Sequence, residues 1–240
     1  MIPLIIPNFN QLTYLKNLIN WWKWYSNDPV YVIDNGSYWP PLIDYYKTCD
    51  AKVINYKENS AHKNLMDFCS TLNSEYYCIS DPDIMPHPGT PFDFLDIYKY
   101  CLDMISYGEH GLQRVGFNLI INDLPASLRN RDTIIFNETE ILKTYDPVKI
   151  NYYGREFTAY RTPIDTTFAM YKKSEGFYAP MSGIDWSRSL RLFQAFHLGW
   201  YVDNCGINKE MDNYFRTCIK KDGSPVSAGK NNNCPERYKI

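Results

Sequence analysis

The sequence predicts an α/β fold: a mixed, mainly parallel central sheet with helices on both faces. Two observations predict it. Short apolar runs of strand character alternate with segments whose apolar residues recur at helical spacing through the first half of the chain. Acidic residues also stand directly after two of those runs. Asp34 follows Val30 to Ile33, and Asp81 and Asp83 follow Tyr76 to Ile79. In open α/β sheets, ligands bind beyond the carboxyl ends of the strands.

Ile2 to Ile6 reads as the first strand, closed by Pro7. From Gln11 to Tyr25, Leu12, Leu15, Leu18, Ile19 and Trp22 mark one face of a helix, with Asn10 as its expected N-cap. Val30 to Ile33 is the second strand and Asn35-Gly36 the turn that ends it. A helix over Leu42 to Thr48 and a strand over Lys52 to Ile54 follow. Leu65, Met66, Phe68, Cys69 and Leu72 mark a third helix opening near His62. Tyr76 to Ile79 is the fourth strand, and Phe92 to Ile105 fits a further helix. The second half is less regular. Val115 to Ile121, Phe168 to Tyr171 and Leu190 to Phe196 read as strands without clear helices between them, which predicts antiparallel additions. Asp132 to Gly154 is mixed and polar, and Ser224 to Ile240 reads as a loosely ordered terminus. The 240 residues show no repeat and no linker, so one domain is expected.

Hydrophobic residues make up 45% of the chain, enough for a sizeable core. The 21 tyrosines, 12 phenylalanines and 6 tryptophans belong mostly in that core. The net charge is −2 and no basic stripe occurs, which argues against a nucleic-acid partner. No apolar run approaches the ~18 residues of a membrane-spanning helix. Met1 to Ile6 lacks a basic leader and is too short for a signal sequence. A cytoplasmic protein is expected, or a soluble catalytic piece of a longer one. The Asn-, Lys-, Ile- and Tyr-rich composition fits an AT-rich genome, bacterial or viral, and a viral protein would work in the host cytoplasm. Seven cysteines, an odd count without a CxxC pair, point to reduced thiols rather than disulfides or a zinc knuckle.

Asp81-Pro82-Asp83 is the strongest local signal. Two carboxylates two residues apart after a buried strand can converge on one divalent cation. Mg²⁺ and Mn²⁺ favour oxygen ligands and keep substrate phosphates in their shell. Such a cation offsets charge on a departing nucleoside diphosphate. Asp34-Asn35-Gly36-Ser37 is the second signal, since a carboxylate there can accept from a nucleobase imide or a ribose hydroxyl.

These motifs, with Ile2-Pro3-Leu4-Ile5-Ile6-Pro7-Asn8-Phe9-Asn10 before them, resemble the nucleotide-binding half of GT-A glycosyltransferases. The chain is similar to the small family 2-like glycosyltransferases of bacteria and large algal viruses. Three later blocks extend the resemblance over residues 1–203: Arg114 to Pro125, Ile164 to Tyr171, and Phe196 to Tyr201. It implies a Rossmann-like GT-A sheet and three regions. Residues 1–110 would bind the nucleotide sugar, 111–205 the acceptor, and 206–240 would form a C-terminal tail. The activity implied is metal-dependent transfer of a sugar, from a uridine diphosphate sugar above all, to a carbohydrate or other hydroxyl acceptor. Pro7, Asn8 and Phe9 would pack on the base and Asp34 would contact base or ribose. Asn59, His62, Lys63 and Asn64 would add nucleotide contacts. Asp81 and Asp83 would hold Mn²⁺ or Mg²⁺, with His197 as third ligand and Asp81 also facing the donor. Asp165 would act as general base on the acceptor or stabilise the donor sugar. Asp123, Glu138 and Glu140 are further acidic candidates, and Arg188 and Arg191 could meet the diphosphate. The sequence departs from the pattern at Gly199, where a proline is expected, and at Asn122-Asp123, where an Asp-Asp pair is more usual. Residues 130–154 have no counterpart.

Two rival readings stay open. A sugar-1-phosphate nucleotidyltransferase shares the sheet logic, but its Gly-rich basic loop is missing from Pro7 to Asn10. A non-catalytic nucleotide-sugar- or glycan-binding module needs the same residues without turnover.

Overall fold

The computed structural model describes residues 1–60, 62–104, 113–126, 128, 130–144, 147–164, 167–173, 189–201, 210 and 213–214. The first half alternates as read: β1 (Leu4–Asn8), α1 (Thr13–Tyr25), β2 (Val30–Asp34), α2 (Pro40–Tyr46), β3 (Lys52–Asn55), α3 (His62–Thr71) and β4 (Tyr76–Ile79). Then come β5 (Ile84–Pro86), α4 (Phe94–Met104), β6 (Arg114–Leu119), α5 (Arg131–Thr144), β7 (Pro147–Tyr152) and β8 (Arg155–Arg161). β9 (Ala169–Lys172), β10 (Ser189–His197) and a 3₁₀ turn at Leu198–Tyr201 follow.

The strands form one sheet in the order β3-β2-β1-β4-β9-β6-β10-β8-β7, with β5 alongside β10. β1, β2, β3, β4, β6, β7 and β10 share one direction; β5, β8 and β9 oppose it. The expected mixed, mainly parallel sheet is therefore present. Alternation along β1 sends Leu4 and Ile6 into one core and Ile5 into another. The first core takes Leu15, Leu18, Ile19 and Trp22 of α1, Leu42 of α2, and Phe94, Ile97 and Tyr98 of α4. The second takes Leu65 and Cys69 of α3, so helices cover both faces. Phe94, Tyr98, Phe117 and Phe168 meet ring to edge in the larger core. Each buried aromatic removes about 150–250 Å² from water, worth a few kcal/mol at ~25 cal/mol per Å². The four described cysteines are free thiols, and burial pushes Cys69 and Cys101 up to about 12.

Pro7 stands inside β1, where a missing N–H would break a central ladder. It is tolerated because β4 pairs with β1 only through Leu4 and Ile5, while β2 continues along it to Asn8. Past Ile5 the two strands part, and Asp81-Pro82-Asp83 follows at that opening.

Three expectations change. Residues 132–154, mixed and polar in the sequence, hold most of α5 and all of β7, and β8 follows with no counterpart among the expected strands. None of the described α5 side chains is fully buried, so the helix has no strong apolar stripe to read. β5 is only three residues long. Asn10 does not cap α1. It sits at φ 54° and its Oδ1 accepts from Tyr38 N–H and Trp39 N–H at the start of α2.

The cap of α1 comes from 198 residues away. Glu210, 6% exposed, accepts from Leu12 N–H (2.6 Å), Thr13 N–H (2.8 Å) and the Thr13 hydroxyl. A carboxylate there satisfies orphan donors and opposes the positive helix end. Glu210→Ala is expected to cost about 1–2 kcal/mol in denaturant unfolding and to speed amide exchange in the first turn of α1.

Candidate functional site

β1, β2 and β4 are parallel, so Asn8, Asp34 and the Asp81-Pro82-Asp83 turn share one sheet edge. The chain leaves β1 toward β2 on one side, and β4 lies on the other. That reversal of strand order makes this edge the expected ligand crevice.

At the β2 end, Asp34 is 3% exposed. Its Oδ1 accepts from the Tyr46 hydroxyl (2.8 Å) and its Oδ2 from Ser37 N–H (3.0 Å). The Tyr46 oxygen in turn accepts from Asn8 Nδ2 at 2.8 Å. Burial, then the Asp34 charge, raises the Tyr46 phenol well above its usual value, so it stays a donor. Asp34 thus braces the ends of β1, β2 and α2 with both its oxygens. Gly36 makes the turn at φ 77°, where a Cβ would lie 3.0 Å from the Lys57 carbonyl oxygen. Asn64 reaches the same turn through Asn35 Oδ1 (2.8 Å) and Glu58 O (3.0 Å). Asn59 and Lys63 lie exposed beside it. Phe9 meets Tyr38 edge-on at 6.2 Å, and Tyr38 is 59% exposed. Asn8 Oδ1, Asn10 Nδ2 and Gln11 Oε1 are buried there without hydrogen-bond partners, a cluster of polar atoms suited to a polar guest.

At the other side, Asp81 and Asp83 are half-buried. β5 pairs antiparallel with the end of β10, setting Ile84 opposite His197. Leu198 N–H donates to the Asp83 carbonyl at 2.7 Å and locks the two segments. His197 Nδ1 lies 3.5 Å from Asp83 Oδ2, yet it is buried and makes no hydrogen bond. Trp200 stacks on the imidazole at 4.7 Å and 3°, fixing its plane. Gly199 explains the departure from proline: a Cβ there would come 2.8 Å from Asp83 Oδ2. An unpartnered nitrogen beside a carboxylate oxygen, with space kept clear by a glycine, is a donor pair that can take a divalent cation: the carboxylates suit Mn²⁺ or Mg²⁺, and the imidazole is tolerated better by Mn²⁺. Among the described residues, no group of three His, Cys, Asp or Glu side chains is gathered as a ready cage. Cations of this type often take only one or two carboxylates from the protein and the rest from water and phosphate.

Tyr14, not singled out from sequence, faces this corner from α1. Burial above all, then the charges of Asp83 and Glu210, raises its phenol well above the usual value, so it stays protonated. Tyr171 is raised by burial too, with Asp81 adding and Arg114 opposing. Neither Tyr14 nor Glu210 lies in a readable motif, and the sequence offers Asn10 rather than Glu210 as the cap of α1.

Asp165, Arg188 and the side chain of His62 lie outside what the structure describes. Arg191 is not free to meet a diphosphate. It is 3% exposed, its Nε donates to Pro163 O at 2.8 Å, and its Nη1 pairs with Glu138. Glu138 is thereby committed as well. Asp123 is exposed and accepts from the Tyr201 hydroxyl at 2.6 Å, and Glu140 pairs with Lys143.

No family model and no curated protein matches the chain. Its fold is similar to a mycobacterial protein structure at 12% identity and TM-score 0.44, covering 98% of this chain and 74% of that one. It is also similar to residues 1–349 of S. aureus TarS, at 14% identity and TM-score 0.47, covering 99% and 68%. A third is CMP:2-keto-3-deoxy-manno-octonic acid synthetase complexed with CTP, at 8% identity and TM-score 0.38, covering 72% and 74%. Among the described residues, no helix is long and apolar enough to cross a membrane.

Proposed function

We propose that the chain is a glycosyltransferase that moves a sugar from a nucleoside-diphosphate sugar, a uridine one, to a carbohydrate or other hydroxyl acceptor. The observation that carries this reading is the meeting of Asp83 and His197 at the edge where β1 and β4 part. Asp83 and His197, with Asp81 beside them, would hold Mn²⁺ or Mg²⁺. Bound there, the cation supplies charge neutralisation for the diphosphate leaving group.

The protein's own groups do the rest. The Asn8–Gln11 loop and Phe9 bind the nucleoside beside the Asp34–Tyr46 brace. Tyr14, kept protonated, offers a hydrogen bond toward the same corner. Trp200 holds the His197 ring in plane. Asp165 is the proposed group on the sugar side, taking the acceptor proton or steadying the donor.

Melting temperature measured against nucleoside diphosphates and nucleotide sugars, with and without Mn²⁺, tests this directly. A ligand at 100 times its Kd adds about 2.7 kcal/mol to stability. A Mn²⁺-dependent rise of several degrees with uridine nucleotides is expected. No rise with any nucleotide would overturn the reading. Pyrophosphate release from a nucleoside triphosphate and a sugar phosphate would instead favour a nucleotidyltransferase.

A further inference from the structure

The β7–β8 hairpin turns on Tyr153 and Gly154, at φ 48° and 84°, between the paired residues Tyr152 and Arg155. Two-residue turns of this twist strongly favour Asn-Gly or Asp-Gly, because a bulky side chain is strained at positive φ. Position 153 nevertheless carries a tyrosine. Core packing does not explain it, since Tyr153 is 87% exposed. Turn closure does not either: Gly154 N–H donates to Asn151 Oδ1 at 2.9 Å without help from the ring. An outlier of this kind points to a use outside folding.

The ring is held in place. Tyr153 meets Tyr152 edge-on at 4.8 Å, and Tyr100 of α4 lies 5.3 Å from Tyr152 and 6.4 Å from Tyr153. Charged groups rim the aromatic surface. Arg155 lies over the Phe157 ring at 5.1 Å and pairs with Asp93. Desolvation, then the charges of Asp96 and Asp93, raises the Tyr152 phenol.

We propose that this hairpin tip is a carbohydrate-binding platform, outside the Asp83–His197 site, that seats a pyranose ring of a glycan chain on Tyr153. The apolar C–H face of the sugar covers the ring. Its hydroxyls donate to the Asp93 carboxylate, and Arg155 donates to its oxygens. A second protein is the poorer occupant. One exposed ring and the edges of two others offer a few hundred Å² at most. A stable interface takes about 800 Å² from each partner.

Native gels cast with laminarin, mannan, xylan or hydroxyethyl cellulose provide the test. The full chain is expected to be retarded by at least one polymer. Tyr153→Asn, which gives the turn its favoured residue, is expected to weaken that affinity at least tenfold without lowering the melting temperature. Asp83→Ala is expected to be retarded like the wild type, so the platform stands or falls apart from the proposed transfer reaction. Migration unaffected by all four polymers overturns the proposal, as does equal retardation of Tyr153→Asn. A concentration-dependent dimer in sedimentation that Tyr153→Asn abolishes overturns it in favour of self-association.

Discussion

Asp83→Asn is expected to lower sugar transfer by about 10²–10³-fold or more, the loss typical of removing a group that meets developing charge. The substitution keeps the shape of the side chain and removes its charge. The contact that ties Asp83 into the fold uses its main-chain carbonyl, which accepts from Leu198 N–H, so that bond survives. Folding should therefore change little: a melting temperature within a few degrees of wild type, and an unchanged circular dichroism spectrum. The Mn²⁺-dependent rise in melting temperature with uridine nucleotides should disappear together with transfer. His197→Ala is expected to act in the same direction and less strongly, since a neutral ligand is lost rather than a charge. Transfer at the wild-type rate in Asp83→Asn would remove the basis for assigning Asp83 and His197 to the donor site.

Local pattern carried the first half of this chain and distance in sequence hid the rest. Leu15, Leu18, Ile19 and Trp22 repeat at helical spacing, and all four are fully buried in α1. Tyr76 to Ile79 is buried throughout and reads as a strand for that reason. Asp34 ends β2, and Asp81 and Asp83 follow β4, because the alternation places them there. What the sequence hid depends on partners far along the chain. Nothing near Leu12 announces that Glu210 will cap α1. Asn10 carries a favoured N-cap side chain, but the Tyr38 and Trp39 amides claim it. Asp34 reads as a free nucleotide contact until Tyr46 is brought against it. β8 mixes small, aromatic and charged residues that fit a loop as well as a strand, and pairing with β7 on one side and β10 on the other decides the matter.

The largest expected effect on stability lies at the buried pair of Arg191 and Glu138. The side chain of Arg191 is 4% exposed and that of Glu138 15% exposed, joining β10 to α5. Removing one member of a buried pair leaves the other charge without compensation, which costs about 3–5 kcal/mol. Glu138→Ala is therefore expected to lower the melting temperature by roughly 6–20 °C for a chain of this size. Glu138→Gln, which keeps an acceptor, should lose less. The double variant Glu138→Ala with Arg191→Met should recover much of the loss, because a buried pair exchanged for apolar groups is often neutral. Chemical denaturation of the four proteins closes the cycle; equal losses in the single and double variants would mean that the charge left on Arg191 is not the cause. The pair also bears on the proposed sugar side of the site. Arg191 Nε holds Pro163 O at 2.8 Å, two residues before Asp165 in the chain. A guanidinium released from Glu138 is free to turn away from Pro163. Glu138→Ala is accordingly expected to lower kcat at temperatures where the variant is still folded, with donor binding unchanged, because β5 pairs with β10 at residues 195–197, away from position 191, and brings Asp83 to His197.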